Sequence, residues 1–480
     1  MIIAQQSAEM AIASYLTDPS TGGNRLMEII LERENMHRAL KQVRSNKGAP
    51  GVDGMTVDQL PSYLRRHWEE IKTALFAGTY EPLPVRRKEI PKPQGGVRLL
   101  GIPATLDRLI QQAIAQVLQM IWDPTFSTFS FGFRPGRSAH GAIAQAKQYV
   151  EKGLKQVVSI DLSKFFDRVN HDRLMSRLAT KVYDKRLLKL IRKFLTSGVM
   201  IDGLVKAADE GTPQGGPLSP LLSNIVLDEL DKELEKRNLC FARYADDFNI
   251  FVRSQRAANR VMRTVSHFVT HRLRLKVNEE KSHVTRPWEM CFLGFRITSM
   301  INFTRIQIHP KSIKRLKERV RQLTSRSSGK SIHQVIFTLN EFLRGWWNYY
   351  RFAKLSIKWL RSLHGWIMRR LRSILWKQWK NPRTRVRELK KRGIYHKSAV
   401  STGNARKGSW RMSRVKWVII ALPCLMFISE ELMVFFSQVY ISCLDHPNRL
   451  STRSVCLVVW WRSLVAVPIS MGFCFRKQCN

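Results

Sequence analysis

The sequence is poor in acidic residues and lacks the paired cysteines that bind structural zinc. There are 37 Asp and Glu residues against 81 Lys and Arg, which gives a formal net charge of +44. A compact protein with this charge repels itself until a polyanion neutralises it, and nucleic acid and anionic membrane are the usual polyanions. The charge balance therefore favours nucleic acid as the partner.

Other absences disfavour further classes of protein. The seven cysteines include no C-x-x-C pair, which argues against a zinc ribbon or finger. Residues 1–20 have no positive cluster followed by an apolar run, so we expect no signal peptide. That expectation and the odd cysteine count suit a reducing, cytoplasmic location. The sequence also shows no internal repeat.

The positive charge is concentrated in one part of the chain. Residues 281–420 contain 34 Lys and Arg residues and four Asp and Glu residues. Eight of the 13 Trp residues lie between Trp346 and Trp417, among these cations. Cations bind phosphates, and aromatic rings either stack on bases or build a small core. For each single Trp, packing in a helical core is the alternative to contact with a base.

The hydrophobic pattern predicts an α+β protein followed by an all-α basic region. Residues 24–80 have the pattern of helices, and residues 86–103 that of a β-hairpin around Pro93–Gly96. The run QVVSIDL predicts a buried strand that ends at Asp161. The segment SPLLSNIVLDELDKELEK predicts an amphipathic helix with Ser219 as its N-cap. The basic region is mostly helical, with breaks at SRSSGKS and KNPRTR.

Three aspartates form a candidate catalytic group. Asp161 follows the apolar run VVSI, and Asp246 and Asp247 lie at the tip of the predicted hairpin CFARYADDFNIFV. If this hairpin pairs beside the buried strand, the acids come within metal-bridging distance. Nucleotidyl transfer uses divalent metals, and Mg²⁺ prefers carboxylate oxygens and substrate phosphates. An ordinary turn is the alternative for the D-D pair alone, because Asp is a common turn former.

Four segments occur along the chain in one order: IDLSKFFDRVNHDRL, GTPQGGPLSPLLSNIVLDEL, YADDFNIF and CFLGFRI. This series resembles the palm of reverse transcriptases, over roughly residues 85–300. The resemblance implies a right-hand polymerase fold, with fingers and palm built from an antiparallel sheet and helices, followed by a helical basic thumb. It also implies that Asp161 and Asp246 are the principal ligands of Mg²⁺, or of Mn²⁺ in its place, and that Asp247 completes the acidic set.

The same resemblance implies a set of nucleotide-binding residues. Phe166 matches the aromatic position that stacks under the incoming sugar and excludes a 2′-hydroxyl; a core Phe is the alternative. Lys92 and Arg98 flank the fingers hairpin, where the family binds the triphosphate; ordinary exposed cations are the alternative. Gln214, in the PQGG loop, matches the residue that lines the nucleotide site, and a Gly/Pro turn before a helix is the alternative there.

Three further segments narrow the family. SNKGAPGVDGMTVDQL, FLRGWWNYYRFA and RKGSWRMSR resemble parts of bacterial group II intron-encoded reverse transcriptases, so the likeness runs from about residue 24 to residue 417. It implies cDNA synthesis and assistance to splicing, with group II intron RNA, an RNA template/DNA primer duplex, dNTPs and target DNA as partners. With no C-x-x-C pair, the endonuclease-lacking subgroup is implied. The residues expected to contact nucleic acid are Gly215, Gly216, Arg344, Trp346, Trp347, Tyr350, Arg351, Trp410 and Arg411.

Motifs and composition together predict four regions. Residues 1–84 are an N-terminal extension with the start of the fingers, and residues 85–300 are the fingers and palm. Residues 301–420 are a helical thumb and maturase region, and residues 421–480 are an apolar tail. The last region departs from the family, which continues there with polar, basic helices.

The apolar tail has two readings. Val455–Phe475 is long enough to suggest a membrane span, but Arg462 lies at its centre and Pro468 interrupts it. We therefore expect no membrane partner, and instead a shifted reading frame, a truncated element or an apolar extension.

Other functions stay open on the sequence alone. An RNA-binding splicing maturase with little polymerase activity is one alternative, which the intact acids disfavour. A domesticated or defence-associated reverse transcriptase is another, which the maturase-like GWWNYYR and WRMSR disfavour. An RNA-dependent RNA polymerase shares the palm chemistry, and Phe166 as a sugar gate argues against it.

Overall fold

A computed structural model describes residues 17–18, 24–91, 97–201, 204–206, 211, 215–300 and 303–423. The chain divides into two compact units between Thr304 and Arg305. In the described residues, the first unit mixes helices with mostly antiparallel sheets, and the second is helical apart from the end of one strand. The predicted α+β architecture followed by a helical basic region is confirmed.

The helices of the first unit begin at residues with cap chemistry. Side-chain oxygens of Ser138, Asn170, Asp184 and Ser254 accept backbone N–H groups at the starts of their helices, which satisfies donors that have no partner within the helix. In chain order the helices are α1 (Leu26–Ile30), α2 (Arg33–Ser45), α3 (Leu60–Ala77), α4 (Thr105–Trp122), α5 (Ala139–Glu151), α6 (His171–Ala179), α7 (Lys185–Thr196), α8 (Ser219–Lys236) and α9 (Gln255–His267).

The strands form two four-stranded sheets, and the last two strands of the chain pair with each other in a separate two-stranded sheet. In chain order the strands are β1 (Val85–Pro91), β2 (Val97–Ile102), β3 (Gln156–Ile160), β4 (Val199–Ile201), β5 (Leu204–Lys206), β6 (Cys240–Tyr244), β7 (Asp247–Val252), β8 (His283–Thr285), β9 (Phe295–Met300) and β10 (Phe303–Ile308), of which the last crosses into the second unit. One sheet has the order β2-β1-β4-β5, and the other, which we call the central sheet, has the order β6-β7-β3-β8.

Both predicted hairpins are present. β1 and β2 pair antiparallel: Arg86 is opposite Ile102 at one end of the ladder, and Pro91 is opposite Val97 at the other. The tip between the two strands lies outside the described residues. β6 and β7 pair antiparallel across a two-residue turn. β3 has β7 on one side and β8 on the other, so it is an interior strand of the central sheet, as its apolar run predicts.

Helix α8 supplies much of the core above the central sheet and packs against β6. Its apolar face is buried as predicted through Leu221, Leu222, Ile225, Leu230 and Leu234, and Val226 is half-buried. The predicted cap is wrong by one residue. The helix begins at Ser219, with Leu218 at the N-cap position and without a side-chain cap hydrogen bond.

The second unit continues with helices separated at the predicted breaks. The break SRSSGKS ends at Ser331, which caps the following helix and forms a capping box with Gln334. In the break KNPRTR, Pro382 is the first residue of the next helix. The helices are α10 (Pro310–Leu323), α11 (Ile332–Tyr350), α12 (Ile357–Gln378), α13 (Pro382–Lys391), α14 (His396–Gly403), α15 (Ser409–Met412) and α16 (Lys416–Ala421).

Among the described residues, none of the helices has both the length and the apolar character needed to span a membrane. The apolar tail from residue 424 onward, including Val455–Phe475, lies outside the described residues.

Candidate active site

The acidic hairpin pairs beside the buried strand, as predicted. β3 and β7 run antiparallel, and Ile160 pairs with Phe248 at the end of their ladder. Asp161 follows Ile160 and Asp247 precedes Phe248, so both acids lie at the same end of two adjacent strands. Asp161 and Asp247, separated by 86 positions in the chain, are therefore brought together by strand pairing.

A two-residue turn places Asp246 at this same end of the sheet. Tyr244 pairs with Asp247, which leaves Ala245 and Asp246 as the turn. Ala245 has a φ of 57°, in the left-handed region that non-glycine residues seldom occupy. A Cβ added to Gly132 would lie 2.3 Å from the Ala245 nitrogen, so the segment before α5 approaches the turn closely only because residue 132 is glycine.

Arg243 holds the turn from inside the core. Its side chain is fully buried, and its Nη1 donates to the Ala245 carbonyl and to Asn224 Oδ1, each at 3.0 Å. Its guanidinium also pairs with buried Asp231, at 2.7 Å from Nε to Oδ1 and 2.5 Å from Nη2 to Oδ2. Because a carbonyl of the turn belongs to this network, the position of Asp246 depends on it.

Asp161 is positioned through its backbone. Its N–H donates to Ser282 Oγ at 3.1 Å, and its carbonyl accepts from the Asn278 N–H at 2.8 Å. Lys281 Nζ lies 3.7 Å from Asp161 Oδ2, with the two side chains 61% and 44% exposed. An ion pair this exposed contributes little energy, so the carboxylate remains available to another cation.

The three acids repel one another when all are ionised. Burial, together with the nearby carboxylates of Asp246 and Asp161, raises the pKa of Asp247 to about 7. Bound divalent cations relieve such repulsion, and carboxylate oxygens are the ligands that Mg²⁺ prefers. The carboxylate oxygens of these three residues are therefore suitable ligands for Mg²⁺. Within the described residues, however, no three His, Cys, Asp or Glu side chains are grouped closely enough to hold a metal by themselves.

Phe166 lies in a short 3₁₀ turn directly after β3, and Lys164 before it has a φ of 50°. Its ring is half-buried and meets the buried Phe165 ring edge-on, with centroids 5.3 Å apart. A Cβ on Gly211 would come within 2.9 Å of the Phe166 carbonyl, so the GTPQGG segment begins against this turn. Phe165 is thus the core aromatic, and Phe166 keeps a partly open face.

The remaining predicted nucleotide-binding residues are only partly described. Lys92 and Gln214 lie outside the described residues, and Arg98 is described as a backbone position in β2 opposite Ile90. Gly215 is exposed with a φ of 128°, and a Cβ there would lie 2.3 Å from the Gly101 carbonyl oxygen. At this position glycine permits close approach of protein backbone.

Gly216 is buried, and a Cβ there would meet Gln111 Oε1 at 2.5 Å. A buried backbone packed against a protein side chain is not accessible to nucleic acid, so this burial argues against the predicted contact of Gly216. The contact is with the end of the Gln111 side chain, which helix α4 carries close to the start of α8.

Comparison with known proteins agrees with this geometry. The family profile "Reverse transcriptase (RNA-dependent DNA polymerase)" matches residues 90–297, and "Group II intron, maturase-specific domain" matches residues 313–393. Protein YkfC of Escherichia coli (strain K12) is 35% identical over 338 residues, an alignment that covers 62% of this chain and 88% of YkfC. The chain belongs to the group II intron reverse transcriptase and maturase family.

Group II intron-encoded protein LtrA of Lactococcus lactis subsp. cremoris is also 35% identical, over 266 residues. That alignment covers 55% of this chain and 43% of LtrA, so the chain spans less than half the length of this relative. Reverse transcriptases as a family use divalent metal ions, which agrees with the acidic group at the end of β3 and β7.

The maturase part of this family member contains the other predicted nucleic-acid contacts. Trp346 and Trp347 of α11 are 9% and 7% exposed. A ring this enclosed is not accessible for stacking on a base, so the burial favours the alternative of core packing for both tryptophans. Arg344 and Arg351 are exposed, and Tyr350 is half-buried beside Trp346, with ring centroids 4.7 Å apart.

The RKGSWRMSR segment has a mixed environment. Arg411 is exposed, and Trp410 is half-buried. The Arg369 guanidinium lies 3.7 Å from the centroid of the Trp410 ring and donates to the Trp410 carbonyl at 3.1 Å. One face of this indole is therefore already occupied by a cation of the protein.

Sequence reasoning missed the supports of the reverse transcriptase site. Arg243 stands in the alternating pattern of a strand, where a cation suggests exposure, and nothing local indicates its buried partner Asp231. Gly132 lies in SFGFRPGRS, whose glycine between two aromatic residues was the available signal for close backbone approach. Lys281 gave no signal, because its proximity to Asp161 arises only from the fold.

Proposed function

We propose that this protein is an RNA-directed DNA polymerase that copies group II intron RNA into cDNA and assists splicing of that RNA. The observation that carries the proposal is the meeting of Asp161, Asp246 and Asp247 at one end of the central sheet, within the part of the chain that matches reverse transcriptases. A protein that only binds RNA has no use for three mutually repelling acids in a strongly basic chain.

In this proposal Asp161 and Asp246 hold Mg²⁺, and Mn²⁺ can replace it, while Asp247 completes the acidic set. When bound, the metal ions activate the primer 3′-hydroxyl and stabilise charge on the transferred phosphate. Burial and the neighbouring carboxylates raise the pKa of Asp247 to about 7, and a cation bound beside it favours release of its proton. Metal affinity is therefore expected to increase as the pH rises through 7.

The residues around the acids orient the nucleotide. The partly open ring of Phe166 supports the sugar of the incoming dNTP and leaves no space for a 2′-hydroxyl. Lys92 and Arg98, at the two sides of the fingers hairpin, bind the triphosphate, and Gln214 lines the nucleotide site. Each of these roles rests on the family resemblance together with the position of the residue in the chain.

The second unit binds structured intron RNA in this proposal. Its exposed cations, including Arg344, Arg351 and Arg411, bind phosphates, and the half-buried Tyr350 and Trp410 contribute ring edges at the surface. The template–primer duplex and target DNA are the further nucleic-acid partners. A nucleic-acid-associated location in the bacterial cytoplasm follows from these partners.

The proposal is tested by Asp246→Ala in a primer-extension assay with an RNA template, a DNA primer, dNTPs and Mg²⁺. We expect incorporation to fall by at least about 1,000-fold, because loss of a metal ligand removes transition-state stabilisation. RNA affinity should change less than about twofold, since the substitution removes no cation that binds a phosphate. Asp172→Ala, which removes an exposed carboxylate on α6, is the matched control and should extend primers normally.

A maturase with little polymerase activity is the second candidate, and the matched maturase-specific domain favours it. The same experiment separates the two. If the wild-type protein binds intron RNA and promotes splicing but incorporates no dNTP, the maturase alternative holds. If Asp246→Ala extends primers at the wild-type rate, the assigned active site is wrong.

A further inference from the structure

A cavity of about 780 Å³ lies within the second unit and is lined by cations from four segments. These are the end of α10 with the loop after it, the second half of α12 with the turn after it, the start of α13, and the loop before α15. We call this space the basic cavity. Its cations are Arg321, Arg326, Arg370, Lys377, Lys380, Arg385, Arg406 and Lys407, and no carboxylate is among the described residues that line it.

The charge in the basic cavity is not neutralised by the residues that the structure describes. None of the eight cations forms an ion pair with any residue that the structure describes. Burial lowers the pKa of Arg370, and the nearby Arg321 and Arg326 lower it further. The cations therefore repel one another, and an anion between them would relieve that repulsion.

Two of these arginines are nevertheless fixed in position by backbone carbonyls. Arg370 donates through Nε to Thr324 Oγ1 at 2.5 Å and through Nη2 to the Thr324 carbonyl at 3.1 Å, at the C-terminal end of α10. Arg385 donates through Nε to the Trp379 carbonyl at 2.8 Å. Arginines held in this way lose little side-chain entropy when an anion binds, so the site is organised in advance.

A buried donor without an acceptor lies in the same wall. Trp376 lines the cavity and is 1% exposed, and its Nε1 has no hydrogen-bond partner among the described residues. Buried indole N–H groups ordinarily have an acceptor. An oxygen of a bound anion is the kind of group that would supply one.

We propose that the basic cavity binds several consecutive phosphates of a folded RNA backbone. This inference rests on the proposed maturase function and adds the place where the RNA backbone enters the second unit. A nucleoside triphosphate carries about four negative charges, which leaves half of eight cations unneutralised, whereas a sharply turned backbone segment supplies more. Apart from serine hydroxyls, the polar side chains of the lining are donors, so binding depends on phosphate geometry and not on base identity.

The test uses the full-length protein and a variant that combines Lys377→Gln, Lys380→Gln, Arg406→Gln and Lys407→Gln. All four side chains are exposed, so their replacement leaves the packing unchanged. The control combines Lys311→Gln, Lys314→Gln, Lys317→Gln and Lys358→Gln, which removes the same charge from exposed positions of the second unit outside the cavity. Affinity for structured intron RNA is measured against salt concentration, with inorganic triphosphate as competitor in a parallel series.

The cavity variant should bind RNA at least about tenfold more weakly at 0.15 M salt, with a log–log salt slope smaller by about 3. The control should lose less than about threefold, because scattered surface charges act through a screened field. Equal losses in the two variants would overturn the inference, as would loss of triphosphate binding with RNA affinity intact, which would identify a small-anion site. Wild-type RNA binding and primer extension are recorded in the same series, so failure of the proposed function is recognised separately.

Discussion

Arg243 and Asp231 form an ion pair with both side chains fully buried, beneath the turn that carries Asp246. Burial raises the pKa of Asp231, and the Arg243 guanidinium opposes that rise. The pair links helix α8 to the end of the central sheet, because Asn224 of the same helix accepts from the same guanidinium. The most polar part of the core is thus the part that supports the acidic group.

Arg243→Met should reduce the free energy of unfolding by about 3–5 kcal/mol, because it leaves Asp231 buried without a counter-charge. Adding Asp231→Asn should recover at least about 1 kcal/mol of this loss. Denaturant unfolding followed by circular dichroism measures both. Lys147→Met removes one partner of the exposed pair with Glu151 and should cost less than about 1 kcal/mol. A loss of that small size for Arg243→Met would contradict the assigned role.

Gly132→Ala should disturb the active site while leaving the fold intact. The added Cβ meets the Ala245 nitrogen at 2.3 Å and the Tyr244 carbonyl carbon at 2.9 Å, so the turn with Asp246 must shift. A displacement near 1 Å is expected to reduce dNTP incorporation by about 100-fold in primer extension.

The matched control is Gly345→Ala, because a Cβ at Gly345 in α11 meets nothing within 4 Å. It should leave activity unchanged and stabilise the helix by up to about 1 kcal/mol. Normal incorporation by Gly132→Ala would show that the turn tolerates the shift.

Phe166→Ala should weaken discrimination between deoxyribonucleotides and ribonucleotides. Removing the half-buried ring opens space beside the sugar, so rNTP incorporation relative to dNTP incorporation should rise by about tenfold or more. The ratio is measured by primer extension with each nucleotide class in turn. Phe337→Ala, which removes an exposed ring on α11, should leave the ratio unchanged. An active Phe166→Ala enzyme with the wild-type ratio would remove Phe166 from the proposed site.

Asp107 should make stability depend on pH. Burial raises its pKa from 3.8 to about 6, although Tyr80 Oη donates to it at 2.7 Å and the Leu83 N–H at 3.1 Å. The folded state therefore retains a proton that the unfolded chain releases between pH 4 and 6. This contribution, about 3 kcal/mol, is full below about pH 4 and is lost as the pH rises through about 6.

The measurement compares unfolding free energies of the wild type and Asp107→Asn at several pH values between 4 and 7.5. Asn carries no titratable proton, so the wild type should lose about 3 kcal/mol relative to the variant as the pH increases. Other titrating groups cancel in the difference. A constant difference across this range would show that Asp107 titrates alike in the folded and unfolded chain.

Local sequence patterns predicted the parts of the site that are built from neighbouring residues. The apolar run before Asp161 predicts an interior strand, because a strand buried on both faces has apolar residues at successive positions. The alternation around Asp246 and Asp247 predicts a hairpin, because a strand buried on one face alternates apolar and polar residues. The breaks between helices of the second unit were visible for the same reason, since Ser, Gly and Pro act on the backbone where they stand.

The tertiary structure alone decided which polar residues the core encloses and which aromatic residues it leaves open. Arg243 is buried because Asp231, Asn224 and Ser130 reach it from other elements, up to 113 positions away. Trp346 and Trp347 lie within the basic part of the chain, where the sequence alone left contact with a base open beside packing in a helical core. Gly216 packs against the side chain of Gln111, which lies 105 positions earlier in the chain. The burial of a side chain depends on which distant residues pack against it. A single sequence contains those residues but does not show which of them meet in the fold.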